Sequence, residues 1–338
     1  MTVHTQNGPV IVTRGLTRHF TQRKQTVEAV RGLDLEIGQG ELVAFLGPNG
    51  AGKSTTLRML TTLIPPTSGT ASVAGHDVAA GQREVRRVIG YVGQGNGAGH
   101  QQRGSDELVS QGRAYGLSRS QARSRAAELI EDLDLATVAD RKVSTLSGGQ
   151  RRRLDIAMGL VHLPRVLFLD EPSTGLDPQN RANLQGLVQR LHEETGSTIV
   201  LTTHYLEEAD ALAQRVIVID HGRMIADDTA SSLKAGLGDR VTLRFGDEHD
   251  AATAAVRAAH VGPGATVEQD GTTVVVRANG AHEAAPHLLH DLHSRGVPAL
   301  GIEVARPTLD DVFLHLTGRS LREANETTTT DETEEAAA

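Results

Sequence analysis

The sequence predicts an α/β fold with a parallel sheet at its core, followed by a smaller α+β domain. Three short apolar runs, residues 41–46, 166–169 and 198–202, are each bounded by loops. Continuous apolar runs of this length are typical of strands that are buried on both faces. Residues 120–133, between the first two runs, carry their apolar side chains at helical spacing. The chain has 338 residues, enough for about two domains.

Composition excludes several classes of function. The chain has no cysteine, so it holds no disulfide, catalytic thiol or cysteine-ligated zinc or iron–sulfur site. A net charge of −8 argues against a general nucleic-acid binder, and we expect no nucleic-acid partner. No apolar run approaches the ~18 residues of a membrane span, and the N-terminus does not resemble a secretory signal. We therefore expect any transport function to depend on a separate membrane protein.

The first element is a half-buried β-sheet, because residues 9–40 alternate apolar and polar side chains. The next strand leads into a pattern that binds phosphates, G-x-x-x-x-G-K-[ST], in which backbone N–H groups curl around phosphate oxygens. In such loops the lysine, here Lys53, reaches the β- and γ-phosphates, and the following hydroxyl, Ser54, binds Mg²⁺. The pattern comprises Gly47, Pro48, Asn49, Gly50, Ala51, Gly52, Lys53, Ser54 and Thr55.

Two carboxylates end the second apolar run, at Asp170 and Glu171. A buried parallel strand delivers such residues to its carboxyl edge, where open α/β sheets bind ligands. We expect Asp170 to hold Mg²⁺ and Glu171 to orient or deprotonate an attacking water molecule.

A second anion-binding segment precedes residues 151–160. This segment consists of Ser147, Gly148, Gly149 and Gln150. Its two glycines would leave backbone N–H groups free at the start of a helix, where the helix dipole also favours an anion. The alternative is an ordinary helix N-cap formed by Ser147.

With this segment, residues 10–235 resemble the ATP-binding subunits of ABC transporters, whose signature motif is Leu-Ser-Gly-Gly-Gln. The resemblance implies a P-loop NTPase fold of the ABC ATPase type, with a parallel sheet core, an antiparallel β subdomain and a helical subdomain. It also implies ATP and Mg²⁺ as ligands. In this family, two subunits form a homodimer on binding ATP, and the signature of one caps the γ-phosphate held by the other.

The resemblance assigns further residues in order along the chain. Gln94 matches the Q-loop glutamine that contacts Mg²⁺ and water, and Asp177 lies in the D-loop at the dimer interface. His204 matches the switch histidine, which would contact the γ-phosphate and support Glu171, although alone it would be interpreted as a structural histidine. Phe20 is the candidate to stack on adenine, with a packing role as the alternative. Residues 21–26 look longer and more polar than the usual turn, and the Gly-rich residues 95–104 suggest a flexible contact surface.

The second domain follows a break near Gly236. Residues 239–318 show a β-α-β-β-α-β pattern, with a hairpin at Asp270-Gly271, which suggests a ferredoxin-like sandwich. We therefore predict an ATP-binding domain over residues 9–235, an accessory domain over 239–318 and a disordered acidic tail over 321–338.

Residues 306–318 resemble the end of the daunorubicin-resistance type of exporter ATPase. This implies an ATPase that powers a separate integral membrane permease and exports a drug or other hydrophobic compound, working at the cytoplasmic face of the plasma membrane as a peripheral subunit. One alternative is the ATPase of an importer. Another is a soluble ABC ATPase of translation or DNA repair, but those chains usually carry two cassettes, a coiled coil or a zinc module, and this one has a single phosphate loop and no cysteine.

Overall fold

The structure is a computed structural model that describes residues 8–22, 25–95, 97–99, 101–262, 264–321, 323 and 325. These residues divide into two compact units. The first runs up to Asp227 and includes Asn325, and the second runs from Asp228 up to residue 324. None of the helices in these described ranges is long and apolar enough to cross a membrane.

The first unit begins with an antiparallel sheet, as the alternation of residues 9–40 predicted. Its strand order is β2-β1-β4-β5. The two long strands stay paired as far as Gln22 and Gln25, so residues 21–26, which we predicted to be a long turn, are mostly strand. The strands are β1 (Pro9–Gln22), β2 (Gln25–Gly38), β4 (Ser68–Val73) and β5 (His76–Asp77).

A six-stranded sheet of order β10-β9-β3-β8-β7-β6 forms the centre of the same unit. Strands β9, β3, β8, β7 and β6 pair in parallel. Every residue of β3, β7 and β8 is buried, which confirms that continuous apolar runs marked strands covered on both faces. The strands are β3 (Leu42–Leu46), β6 (Ile89–Val92), β7 (Val166–Asp170), β8 (Thr198–Thr203), β9 (Arg215–Asp220) and β10 (Arg223–Asp228).

Seven helices of the first unit surround these sheets in the described ranges. α3 and α4 pack on each other and on α5, and α4 begins with a capping box between Ser118 and Gln121. The helices are α1 (Lys53–Leu60), α2 (Gln82–Val88), α3 (Gly104–Ala114), α4 (Arg119–Asp132), α5 (Gly148–Leu160), α6 (Pro178–Thr195) and α7 (Leu206–Leu212).

The second unit is an α+β sandwich whose antiparallel sheet has the order β12-β13-β11-β14. Its two central strands are the first and third of the unit, which is the order of a ferredoxin-like sandwich. Val241, Leu243, Val274 and Val276 face α9 and α10 and form the core. The elements are α8 (Ala230–Ala235), β11 (Asp239–Arg244), α9 (Glu248–Ala258), β12 (Thr266–Asp270), β13 (Thr273–Ala278), α10 (Ala281–Ser294), β14 (Gly301–Ala305) and α11 (Leu309–Thr317).

The limits of this unit differ from those that we predicted. The unit starts at Asp228 rather than residue 239, because α8 packs on α11. Leu321, which we placed in a disordered tail, is buried, and its backbone N–H donates to Asp310 Oδ1 at 3.1 Å. Our prediction of disorder for residues 326–338 lies outside the described residues.

Candidate nucleotide-binding site

Three neighbouring parallel strands bring the predicted catalytic segments to one edge of the sheet. Leu46 of β3 is in register with Thr203 of β8, and Asp170 of β7 is in register with Thr202. The phosphate loop, Glu171 and His204 each follow the carboxyl end of one of these strands. The edge is therefore the place where an open α/β sheet binds its ligand.

The phosphate loop needs glycine at two positions for which the structure gives a clear reason. A Cβ added at Gly47 would lie 2.1 Å from the carbonyl oxygen of Ile219. Gly52 has a φ of 100°, which L-residues rarely adopt, and its Cβ would lie 2.3 Å from the carbonyl oxygen of Ala29. These close approaches let the loop turn sharply from β3 into α1, whose N-terminal end favours an anion.

Lys53 is buried beneath this loop, with only 3% of its side chain exposed. Its Nζ donates to the carbonyl oxygens of Gly47 at 2.8 Å and Pro48 at 2.9 Å, and lies 3.7 Å from Glu171 Oε1. Burial lowers the pKa of Lys53 from 10.5 to about 8, against the opposing charges of Glu171 and Asp170. Two of the three neighbours of the ammonium group are thus neutral carbonyl oxygens, whose place a phosphate oxygen could take.

The low pKa predicts that ATP binding takes up a proton at alkaline pH. A triphosphate beside Lys53 raises its pKa again, whereas the terminal phosphate is already ionised above its second pKa of about 6. We expect apparent ATP affinity to be constant below pH 8 and to fall up to about tenfold per pH unit well above it. Calorimetry at about pH 7 and about pH 9, in buffers of different ionisation heat, measures the uptake.

The control is Lys53→Arg, whose guanidinium does not titrate in this range, so that any ATP it binds should bring no proton uptake. Wild-type binding without proton uptake at the higher pH would contradict the lowered pKa.

The three residues predicted to hold a metal ion come together. Ser54 Oγ donates to Asp170 Oδ1 at 2.7 Å, and Gln94 Nε2 donates to Ser54 Oγ at 3.3 Å. Asp170 is fully buried and also accepts from Thr202 Oγ1 at 2.8 Å and from the Tyr91 hydroxyl at 3.3 Å. Hydroxyl, carboxylate and amide oxygens are the hard ligands that Mg²⁺ prefers, so the residues fit this ion.

Glu171 lies beside the loop with Lys53 on one side and His204 on the other. Its Oε2 accepts from Thr174 Oγ1 at 3.1 Å and lies 3.4 Å from His204 Nδ1. Burial raises the pKa of Glu171, but the nearby His204 imidazole and the Lys53 charge outweigh this effect and lower the pKa overall. Its φ of 46° is unusual for a residue other than glycine and is held by a 2.9 Å bond from its N–H to Thr202 Oγ1. An ionised carboxylate is thus fixed at this edge.

Thr202 was not among the predicted site residues. Its hydroxyl links Asp170 to the backbone of Glu171, and replacing it should break this link. Thr202→Val removes the donor to Asp170 and the acceptor of the Glu171 N–H at nearly constant volume. We expect the free energy of unfolding to fall by about 1–3 kcal/mol, with a clear loss of ATP turnover. Urea unfolding and steady-state ATPase assays measure the two effects.

Thr198→Val on the same strand is the matched control, because within the described residues Thr198 Oγ1 has a single hydrogen bond, which it accepts from the remote Gly40 N–H at 2.8 Å. It should lose comparable stability and keep its turnover number. Equal turnover in the two valine variants would show that Thr202 supports only the strand.

The signature segment forms a helix cap, as our alternative interpretation had it. Ser147 Oγ accepts from Gln150 N at 3.3 Å, and Gln150 Oε1 accepts from Ser147 N at 3.0 Å. Gly148 and Gly149 form the first turn of α5. Among the described residues, no hydrogen bond or ion pair of this segment reaches the phosphate loop or Glu171 of the same chain. A phosphate-binding role for it therefore stays a prediction.

Two other predicted nucleotide ligands have local partners. Asp177 caps α6, where its Oδ1 accepts from Asn180 N at 2.9 Å. Phe20 lies near the end of β1, with 37% of its surface exposed and the Arg18 guanidinium 4.6 Å above its ring. An exposed aromatic face remains available at Phe20, so its stacking on adenine also stays a prediction.

Arg152 supports the site, although sequence reasoning did not single it out. Its side chain is buried and donates to the carbonyl oxygens of Gly93 at 2.6 Å, Pro172 at 2.7 Å and Asp170 at 3.3 Å. Arg152 thus connects the start of α5 to the segments that follow β6 and β7. The sequence carries no local signal that singles out Arg152 among the three arginines at positions 151–153.

Two carboxylates bond the backbone of the Gly-rich segment after Gln94. Asp155 Oδ1 accepts from the N–H groups of Gly97 at 3.0 Å and Ala98 at 3.1 Å, and Glu107 Oε1 accepts from Gly99 N at 3.0 Å. Buried carboxylates from α5 and α3 thus bond the backbone of residues 97–99, and the flexibility of this contact surface stays a prediction. Residues 96 and 100 lie outside the described chain.

Comparisons with known proteins agree with this geometry. Residues 30–174 match the family model described as ABC transporter. The chain is 43% identical over 331 residues to the daunorubicin/doxorubicin resistance ATP-binding protein DrrA of Streptomyces peucetius, covering 96% of this chain and 98% of the relative. It is 40% identical to the doxorubicin resistance ATP-binding protein DrrA of Mycobacterium tuberculosis, over 91% and 93% of the two chains.

A solved structure gives the same fold. A dimeric ATP-binding cassette in a post-hydrolysis state, bound to ADP and Pi, superposes with a TM-score of 0.60 and 26% identity. It covers 65% of this chain and 98% of that chain. Together these matches confirm the predicted P-loop NTPase fold and ATP hydrolysis as the activity, and the chain belongs to the ATP-binding subunits of ABC transporters, in the daunorubicin-resistance type.

Proposed function

We propose that this ATPase drives a separate integral membrane permease that exports a drug or another hydrophobic compound, acting as a peripheral subunit at the cytoplasmic face of the membrane. The observation that supports the ATPase step best is the group formed by Lys53, Asp170, Glu171 and His204 at one edge of the sheet. The two relatives named for drug resistance support the choice of cargo.

In the proposed reaction Lys53 leaves the carbonyl oxygens of Gly47 and Pro48 and binds the terminal phosphates. Glu171 accepts a proton from the attacking water, and His204 holds the carboxylate and the γ-phosphate in position. Ser54, Gln94 and Asp170 would hold Mg²⁺, which would offset the negative charge of the phosphates.

We further propose that two copies form a homodimer around ATP. The first-turn N–H groups of Gly148 and Gly149 have no partner in the helix, because an α-helix leaves its first N–H groups free. Ser147 and Gln150 satisfy each other, which pre-forms the cap. This end of α5 suits a γ-phosphate bound by another subunit.

Reconstituted transport tests the function. The chain should co-purify from native membranes with an integral membrane protein, and inside-out vesicles that contain both should accumulate doxorubicin when ATP is added outside. Glu171→Gln vesicles are the control and should not accumulate it. ATP-driven loss of doxorubicin from preloaded vesicles would favour import, and co-purification with ribosomes would contradict a transport role.

A further inference from the structure

The second unit contains a cavity of about 400 Å³ that the nucleotide chemistry does not use. Arg240 of β11, Arg277 of β13 and Arg306, which follows β14, line it. Its volume lies within the range of about 300–1,000 Å³ that is usual for sites of small ligands. The cavity is therefore large enough for a small molecule and carries three guanidinium groups.

Two of these arginines repel each other and so destabilise the sheet. Arg240 and Arg277 are directly opposite each other in the β11–β13 register, and both project from the face opposite the core residue Val241. Like charges at directly opposed positions of neighbouring strands destabilise a sheet. An anion between the two guanidinium groups would remove this repulsion.

The chain's own carboxylates neutralise this pair only in part. Glu303 Oε1 is 4.0 Å from Arg240, and no carboxylate of the described residues comes within that distance of Arg277. Asp311 of α11 also lines the cavity and supplies one negative charge near Arg240 and Arg277. Its Oδ2 accepts from Thr308 N at 2.8 Å and Thr308 Oγ1 at 2.7 Å. One carboxylate lining the cavity and one at its edge, Glu303, face three guanidinium groups. The cavity therefore keeps an excess of positive charge.

The third guanidinium is held in position by a hydrogen-bonded chain. Arg306 Nη2 lies 3.0 Å from His282 Nε2, and His282 Nδ1 lies 2.5 Å from Asp239 Oδ2. Asp239 is buried and fixes the proton on Nδ1, so that Nε2 accepts from Arg306. The Asp239 carboxylate therefore orients Arg306 through the His282 ring and forms no direct ion pair with it.

We propose that this cavity binds a phosphate-type oxyanion, carried by a free small molecule or by the headgroup of an anionic lipid. A phosphate offers three or more acceptor oxygens, enough for guanidinium groups from three chain segments, whereas a carboxylate offers two. Leu237, Pro307 and Leu314 give the cavity apolar walls that suit the organic part of a phosphate ester.

Inorganic pyrophosphate is the first probe, titrated by calorimetry into the full-length chain saturated with ADP, so that the phosphate loop is occupied. The second probe is co-sedimentation with vesicles of phosphatidylglycerol in phosphatidylcholine, compared with phosphatidylcholine alone. Arg277-dependent pyrophosphate binding identifies a free phosphate compound, and Arg277-dependent binding to the anionic vesicles identifies a lipid headgroup. Failure of both probes would overturn the proposal.

Variants decide whether the cavity is responsible. Arg277→Gln and Arg306→Gln should each weaken binding by about tenfold or more, since each removes charge-assisted hydrogen bonds. Arg244→Gln is the matched control, because Arg244 lies on the same strand and face as Arg240 but does not line the cavity. An equal loss in the Arg244 variant would mean diffuse surface charge and would overturn the site.

Thermal melting separates binding from folding. Without an anion, Arg277→Gln should melt at the wild-type temperature or above it, because the repulsion with Arg240 is gone. Whichever of the two probes binds the wild type should raise the melting temperature of the wild type and not that of the variant. Equal ligand-induced stabilisation of the two proteins would also overturn the proposal.

Discussion

Glu171→Gln should nearly abolish steady ATP turnover while ATP stays bound. Glutamine keeps the size of the side chain but cannot accept the proton of the attacking water. General bases contribute about 10²–10⁴-fold to a rate, so we expect a loss of at least about 100-fold in kcat. Removing a negative charge 3.7 Å from Lys53 should leave ATP affinity unchanged or higher. The trapped state should be an ATP-bound dimer.

Phosphate release measures turnover, calorimetry measures ATP affinity, and light scattering in the presence of ATP measures the mass of the complex. Glu207→Gln is the matched control, because Glu207 is exposed three residues beyond His204 and should behave as the wild type in all three. Wild-type turnover in Glu171→Gln would show that the carboxylate near His204 is not the base.

The parallel core could be predicted because each of its strands is marked by a short apolar run in its own sequence. Residues 42–46 and 166–169 are apolar on both faces of the strand, and only a strand covered on both sides buries such a run completely. Parallel strands end at one edge, so Lys53, Asp170 and His204 could be expected to meet there. The phosphate loop adds a local reason of its own, because its glycines are required by close backbone contacts.

The supporting contacts could not be predicted because their partners are distant in the chain. Nothing local distinguishes Arg152 from Arg151 and Arg153, and its three carbonyl acceptors become neighbours only when β6 and β7 pair. The bonds to the Gly-rich segment could not be predicted for the same reason, since its acceptor Asp155 lies 57 residues beyond Ala98. Tertiary acceptors, rather than local propensity, determined both outcomes.

Ser147→Arg added to Glu171→Gln should abolish the trapped dimer and leave ATP binding to each chain intact. Ser147 is exposed at the start of α5, and within the described residues its side-chain Oγ is bonded only to Gln150 N. An arginine there removes the cap, at a cost of about 1 kcal/mol, and places a bulky side chain where the proposed partner's γ-phosphate would lie. Lys53→Ala should instead lose ATP binding itself, because it removes the charge that meets the β- and γ-phosphates.

Calorimetry and light scattering on the double variants separate these outcomes. Ser124→Arg in the Glu171→Gln background is the control, because Ser124 is exposed on α4 and an arginine there has Glu128 one turn away. It should still dimerise with ATP. If Ser147→Arg weakens ATP binding to the monomer as much as Lys53→Ala does, the signature acts on the ATP of its own chain and the two-subunit arrangement is wrong. A stable ATP-bound dimer that contains Ser147→Arg would contradict it equally, since the cap would then lie outside the interface.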